Sequence, residues 1–326
     1  VLTEERRRRL PPTDRQIELP SRSEATLIGD HMKYAKTTIL GIGYSHITLD
    51  ALLRVVERAQ RVTISPVPVD PVMLTQNDPY LGEVYNSYDF VVADSFHVML
   101  ASRFLGSALP EQIRGEDLLY ALLDLCVRKR LSVFFLGSDE AVFSKAQARL
   151  QQMGIADVGH FCPPGKAVFT ERDNEEMVRR VNNAHPDVLF VVLGAPKQDV
   201  WIHENKHRLR AKAIVPIGAA FDFFAGEKRV APRCMQAMGL EWLHRLIREP
   251  RRLAGRYARD ALFPLLVLRQ RLAGSTAHDA APKPFVNDVL IVSHSFRATS
   301  GRKTADTSAG RCPLDAPQLE PVSQPE

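Results

Sequence analysis

The sequence predicts an α/β fold, a Rossmann-like, mostly parallel sheet flanked by helices, with a basic helical appendage near the C-terminal end. Three observations carry that reading. Short apolar or β-branched runs alternate with longer stretches of helical period. Some of the short runs, Phe90-Val91-Val92-Ala93 and Val188 to Leu193 among them, are continuously apolar, as strands covered on both faces require. Small and polar residues then follow run after run where strand should give way to helix, which is the binding edge of such sheets.

In chain order, residues 1–34 are charged and polar and are interrupted by Pro11, Pro12 and Pro20, so they read as a flexible leader. Strands are expected at Thr37 to Leu40, Val72 to Thr75, Phe90 to Ala93, Ser132 to Leu136, Asp187 to Leu193 and Ala213 to Ile217. Helical periodicity is expected at Leu49 to Gln60, Pro79 to Ser87, Phe96 to Phe104, Asp117 to Arg128, Asp139 to Met153, Lys197 to Arg208 and Cys234 to Arg248. This gives an α/β core over 35–238 and a basic amphipathic appendage over 239–272. Residues 273–326, rich in Ser, Thr, Ala and Pro, read as a mostly disordered tail whose short apolar run is Val289 to Val292.

The 326 residues are 45% hydrophobic and 25% charged, an ordinary globular balance that excludes collagen-like and wholly disordered chains. With 43 Lys and Arg against 38 Asp and Glu the net charge is +5, which favours anionic partners. Arg6 to Arg9 are followed by no apolar stretch, and no long uncharged apolar run occurs elsewhere. No secretory signal and no membrane span are therefore expected. Cys126, Cys162, Cys234 and Cys312 have no C-x-x-C spacing, which disfavours a disulfide framework or a zinc ribbon and fits reduced thiols in the cytoplasm.

Three short motifs compete for attention. Gly41-Ile42-Gly43 follows an expected strand, but His46 stands where the third glycine of a dinucleotide fingerprint belongs. His203-Glu204-Asn205-Lys206-His207 matches H-E-x-x-H, the spacing that sets two imidazoles a turn apart for zinc hydrolysis, though Lys206, Arg208 and Arg210 crowd the same turn. Arg245, Arg248, Arg252, Arg256 and Arg259 recur every three or four residues, with Pro250 set to break the helix. Their apolar neighbours Leu253, Tyr257, Leu262, Phe263, Leu265, Leu266 and Leu268 tip that stripe from a solvated face toward an anionic membrane surface. No nucleic-acid-binding motif is recognisable.

Asp94 stands apart from these. It follows a buried run at the carboxyl end of a strand, where a partly desolvated carboxylate can serve as a general base; a helix N-cap is the alternative. His97 follows three residues on. Thr75 and Asn77, Gly137 and Ser138, Gly194 to Gln198, and Gly218 to Asp222 occupy the equivalent ends of other expected strands. Together they would line a small polar site suited to a phosphate-bearing substrate.

Between about Val72 and Leu272 the chain resembles the WecG/TagA/CpsF glycosyltransferases, glycosyltransferase family 26. The resemblance rests on ordered blocks: Thr75-Gln76-Asn77, Asp89 to Asp94, Gly115 to Leu119, Val133 to Ser138, Gly194 to Gln198 with Trp201, Gly218 to Asp222, and Gly239 to Leu246 running into Glu249 to Arg252. The sequence departs from the family at Gln112, where an arginine is common, and over Gly159 to Thr170, where a shorter turn is usual.

The resemblance implies an inverting, metal-independent transfer of a hexosyl, hexosaminyl or uronosyl group from a UDP-sugar to a polyprenyl-diphosphate-linked saccharide. The product would feed a cell-surface or secreted polysaccharide, and the enzyme would lie peripherally on the inner face of a bacterial cell membrane. Asp94 would be the base. Thr75, Asn77 and Gln198 would position sugars, Asp222 would also bind substrate, Gly137, Gly194 and Gly218 would admit the nucleotide, and Arg245, Arg248 and Arg252 would neutralise departing UDP in place of a metal. No cofactor is implied, and the oligomeric state stays open. The rival readings are a zinc hydrolase using His203, Glu204 and His207, and a nucleotide-binding membrane adaptor without turnover.

Overall fold

A computed structural model describes residues 26–28, 31–155, 157–163, 169–228, 231–232, 235 and 240–274. The rest of the expected leader and the tail, including Val289 to Val292, lies outside the described residues.

Two hairpins come first: β1 (Thr26–Ile28) pairs with β2 (His31–Lys33), and β3 (Lys36–Ile39) with β4 (Ile42–Ser45). Helix α1 (Leu49–Arg58), β5 (Val62–Val67), α2 (Val69–Thr75), α3 (Pro79–Asn86), β6 (Phe90–Ala93) and α4 (Phe96–Phe104) follow. Next come α5 (Gly115–Lys129), β7 (Val133–Gly137), α6 (Glu140–Gln152), β8 (Val158–Phe161), α7 (Glu171–Ala184) and β9 (Val188–Val192). The chain continues through α8 (Lys197–Asn205), β10 (Ala213–Pro216), α9 (Ala219–Ala225), α10 (Glu241–Arg248), α11 (Pro250–Asp260) and α12 (Phe263–Leu272).

Six strands form one parallel sheet in the order β6-β5-β10-β9-β7-β8. Every residue of β6, β7, β9 and β10 is buried, which is what their unbroken apolar runs require of a sheet covered on both sides. One face packs against α2, α3, α4, α7, α8 and α12. The other packs against α1, α5, α6 and α9 and holds an aromatic knot in which the Phe135 ring lies 5.1 Å from Phe190 and 4.9 Å from Phe221. Truncating Phe135 to alanine there should cost about 3–5 kcal/mol.

Helix ends follow from local chemistry. Thr48 caps α1 by accepting the Ala51 N–H, and Thr170 with Asp173 forms a reciprocal capping box on α7. The polar α7 buries only Met177, Val178 and Val181, so its apolar stripe is too thin to be conspicuous in sequence.

Two expectations need correction here. Val72 to Thr75 is the last part of α2, not a strand; the strand is Val62–Val67 immediately before it. Pro66 and Pro68 disguise that strand, because proline lacks the ladder N–H. Its position explains its tolerance: β5 pairs with β10 only through Val62 and Thr63, and Pro66 lies beyond that stretch. Gly41-Ile42-Gly43 does not lead from strand to helix either. Leu40 and Gly41, at φ of 47° and 88°, form the tight turn of the β3–β4 hairpin, and Gly43 lies within β4 opposite Thr38, so the pair serves a hairpin.

Candidate active site

The site opens where β5 and β10 part. Register with β6 continues to Val67 opposite Ala93, while register with β10 has already ended at Thr63 opposite Ile214. The helix after β5 packs on one face of the sheet and the helix after β10 on the other. Strands whose following helices leave to opposite faces make a crevice at their carboxyl ends.

Asp94 stands at this crevice, one residue past the end of β6. It is half-buried, and its Oδ1 accepts the Gly115 N–H at 2.6 Å at the first turn of α5. That contact fixes the carboxylate against a helix N-terminus, where backbone N–H groups favour negative charge. The Gln112 Nε2 donates to the Asp94 carbonyl at 2.9 Å, so the residue that replaces the family's usual arginine holds the backbone of Asp94. Beneath lies Tyr44, fully buried, whose hydroxyl donates to the Val67 carbonyl at 3.3 Å. Burial first and the nearby Asp94 charge second push its phenol well above the ordinary tyrosine range, so it stays protonated.

Gly115 ties Asp94 to the other bank. A Cβ at Gly115 would lie 3.5 Å from Pro66 Cγ, 3.6 Å from Asp94 Oδ1 and 3.8 Å from Ala220 Cβ on the first turn of α9. From Ala220 the wall continues to Gly218, whose added Cβ would sit 3.2 Å from the Gln198 Oε1. That same oxygen accepts the Gly194 N–H at 3.1 Å, so one buried amide joins the loops after β9 and β10. Gly137 ends β7 at φ of 109°, and a Cβ there would come within 2.5 Å of the Val192 carbonyl oxygen. Only glycine lets the β7 and β9 loops approach so closely.

The structure thus brings Asp94, Gln198, Gly194 and Gly218 to one rim, with Gly137 beside them on the next strand. Asp222 is on α9 and accepts from Lys228 Nζ at 2.6 Å. Thr75 closes α2 and Asn77 lies two residues past it; the buried Thr75 hydroxyl donates back to the Val72 carbonyl at 2.8 Å. Their neighbour Gln76 donates to the Leu40 carbonyl of the hairpin turn at 2.9 Å. The residues that do occupy the end of β5 are Pro66, Pro68 and Asp70.

The arginine segment divides in two. Pro250 begins α11 directly after α10, as its missing N–H allows. On α10, the Arg245 guanidinium lies 5.0 Å from the Phe223 ring centroid of α9, and Arg248 donates to the His244 imidazole at 3.4 Å. On α11, Arg252 pairs with Glu249. Arg256 and Arg259 converge on Asp70, at 3.1 Å and 2.5 Å, at the start of α2. Asp70 is 8% exposed, and Asp260 beside it is pushed up to about 6 by burial and by the Asp70 charge. The appendage therefore rests on α9 at one end and on α2 at the other, across the two helices that leave the crevice.

The H-E-x-x-H residues have other engagements. His203 Nδ1 shares a hydrogen bond with Ser87 Oγ at 2.7 Å, Glu204 accepts from Tyr80 at 3.2 Å, and α8 ends at Asn205, before His207. Among the described residues no group of three His, Cys, Asp or Glu side chains is arranged to hold a metal ion. A separate open groove of about 830 Å³ lies at the far edge of the sheet, between Phe161, Cys162 and the Arg172–Arg179 side of α7.

Sequence reasoning missed Gly115 as the anchor of Asp94, and missed Tyr44 and Asp70. Their signal was absent because each contact spans many residues; Gly115 and Asp94 are 21 apart.

An open parallel sheet with a carboxylate and glycine-lined loops at one strand-end crevice defines a Rossmann-like α/β enzyme. The family model of the WecG/TagA/CpsF glycosyl transferases matches residues 37–277, and the chain belongs to that family. It is a glycosyltransferase. A protein of Bacillus spizizenii named N-acetylglucosaminyldiphosphoundecaprenol N-acetyl-beta-D-mannosaminyltransferase is 32% identical over 177 residues, 54% of this chain and 66% of that protein. Proteins of the same name from Staphylococcus aureus strains MRSA252 and MW2 are 29% and 28% identical over 233 residues, covering 67% of this chain and 87% of theirs.

Proposed function

We propose that the protein transfers a hexosyl, hexosaminyl or uronosyl group from a UDP-sugar to a polyprenyl-diphosphate-linked saccharide, with inversion and without a metal ion. The observation that carries this reading is the Asp94 carboxylate, fixed by Gly115 at the crevice that Gly218 and Gln198 line from the opposite bank. The relatives' name supplies the acceptor class, an N-acetylglucosaminyl group on diphosphoundecaprenol, and one candidate for the transferred sugar.

In the reaction the acceptor hydroxyl oxygen forms a bond to the anomeric carbon of the donor as the bond from that carbon to the UDP oxygen breaks. The hydroxyl proton passes to Asp94, and UDP leaves with the bonding pair. Gln198 and the Gly194 and Gly218 loops cradle the donor, with Gly137 and Asp222 at its margins. Arg245, Arg248 and Arg252, carried by the helices that bridge α9 and α2, stabilise the charge that develops on UDP. Thr75 and Asn77, at and just past the end of α2, line the same pocket and place the acceptor or donor sugar by hydrogen bonds.

The enzyme works peripherally at the inner surface of the cell membrane. No described helix is long and apolar enough to cross a bilayer. Support comes less from the arginine stripe, partly engaged by Asp70 and Glu249, than from two apolar stripes. Phe96, Leu100 and Phe104 of α4 and Leu265, Leu268 and Leu272 of α12 are 39–77% exposed, and the two helices are linked by an Arg271 bond to the Leu105 carbonyl. Arg103, Arg269 and Arg271 are exposed beside them, and neither helix contains an acidic residue. Such a surface suits anionic headgroups. Leu100→Glu with Leu268→Glu should abolish flotation with anionic vesicles while leaving transfer to a short, water-soluble acceptor intact; unchanged flotation would move the membrane face elsewhere.

The direct test of the function is a panel of UDP-sugars offered with a short-chain lipid-diphosphate N-acetylglucosamine acceptor, with and without EDTA. Turnover of one donor at a rate indifferent to EDTA is expected. Loss of transfer on chelation, restored by a divalent cation, would overturn the metal-independent reading, and stoichiometric bound zinc without transfer would favour a hydrolase using His203, Glu204 and His207. Binding of UDP without turnover of any donor would favour the adaptor reading.

A further inference from the structure

One buried charge has no place in that mechanism. Asp199, in the first turn of α8, is 2% exposed, and three hydroxyls converge on it. Tyr88 donates to Oδ1 at 3.0 Å, Ser65 to the same oxygen at 3.3 Å, and Tyr85 to Oδ2 at 3.3 Å. No ion pair to Asp199 occurs among the described salt bridges. A carboxylate removed from water without a cation is unfavourable for folding, and such groups concentrate where function requires them.

Its location suggests that function. Asp199 follows Gln198 directly, so the two side chains leave one helical turn in different directions: Gln198 to the Gly194 and Gly218 loops, Asp199 into the core. Ser65 belongs to β5, in register with Val91 of β6, three residues before Asp94. Tyr85 and Tyr88 precede β6 on the same side. The carboxylate therefore joins the bank that carries Gln198 to the strand pair that carries Asp94, just past Thr63, where β5 and β10 have separated.

We propose that Asp199 is a positioning residue for transfer, holding the first turn of α8 so that Gln198 stays in register with Asp94 across the crevice. This deepens the glycosyltransferase reading and rests on it. The charged form accepts all three hydroxyl hydrogens at once, whereas a neutral amide in its place would offer one acceptor oxygen and turn an NH2 group toward hydroxyls that must then reorient.

The energetics separate this role from simple support of the fold. Burial pushes the Asp199 carboxyl up to about 6, against the hydrogen bonds that pull it down. A folded value above the unfolded one means that the protonated form binds its proton more tightly when folded. Its stability contribution is complete below the unfolded value of 3.8 and fades as pH rises through about 6. At neutral pH the charge is thus a burden on the fold. Asp199→Asn should hold or raise the melting temperature at pH 7.5 and flatten its dependence on pH between 4 and 6.

The test combines that measurement with kinetics on the full chain, using the turned-over UDP-sugar and the short-chain acceptor. Asp199→Asn is expected to lower kcat about ten- to hundredfold, the scale of a small misplacement at a reacting centre, and to raise donor KM, since Gln198 cradles the donor. Gln198→Ala should lower kcat similarly. The double variant should be no worse than the more impaired single one, since residues acting as one unit are not additive. Ser65→Ala and Tyr88→Phe, each removing one donor, should lie between wild type and Asp199→Asn. Multiplicative losses in the double variant, or a kcat that falls only as far as the folded fraction does, would overturn the positioning role and leave the glycosyltransferase reading standing. Turnover of no UDP-sugar by the unmodified chain would instead overturn the reading beneath it.

Discussion

The two banks of the crevice are built from opposite materials. The β5–β6 bank is stiff and carries the reactive group: Pro66 and Pro68 fix the strand end, and Asp94 is held at both its carboxylate and its backbone carbonyl. The β7–β9–β10 bank is made of glycines, Gly137, Gly194 and Gly218, all at positive φ, around one buried amide. The first bank positions a proton acceptor; the second lets backbone come close to a bulky, charged donor. The difference teaches that chemistry and binding are separable here, so damage to one bank should leave the other's property standing.

The largest expected effect follows from the stiff bank. Asp94→Asn should lower transfer about 10²- to 10⁴-fold, the usual worth of a positioned base, while calorimetry finds UDP-sugar affinity unchanged. Loss of both together would merge the two banks into one function.

Next comes the glycine bank. Gly137→Ala must place a Cβ at 2.5 Å from the Val192 oxygen, and should cost about 1–3 kcal/mol or more in urea unfolding. Gly194→Ala has equal reason for strain at φ of 80° but nothing within 4 Å, so its cost should be smaller, about 1 kcal/mol. An equal shift for the two would contradict the close approach of the β7 and β9 loops.

Asp70→Asn removes the anchor of α11. Asp70 is buried but Arg256 and Arg259 are over a third exposed, so a loss of about 1–2 kcal/mol is expected. Faster amide exchange confined to α10 and α11 would confirm that the appendage rests there, and exchange unchanged in those helices would deny it.

Much of the glycine bank was legible because both-face burial leaves an unbroken apolar run, and the loops after β7, β9 and β10 begin where those runs end. The Asp94 strand was legible for the same reason. The strand beside it was not, since Pro66 and Pro68 imitate a loop, and the Thr75-Gln76-Asn77 run beyond them imitates a strand end. The capping of Asp94 by Gly115, the tie from Asp199 to Ser65 and the grip of Asp70 on two arginines left no local pattern, because each joins segments that only the fold brings together. The apolar stripe of α12 showed in composition; its companion on α4 was hidden among residues that equally suit a core helix.

The central claim is that donor and base meet in one crevice between these banks. Crystals of the protein soaked with UDP test it most directly. Density for the nucleotide between the Gly194 and Gly218 loops, with its terminal phosphate turned toward Asp94, is the result expected. A nucleotide seated instead in the groove beside Phe161, Cys162 and Arg179, far along the sheet from Asp94, would contradict it.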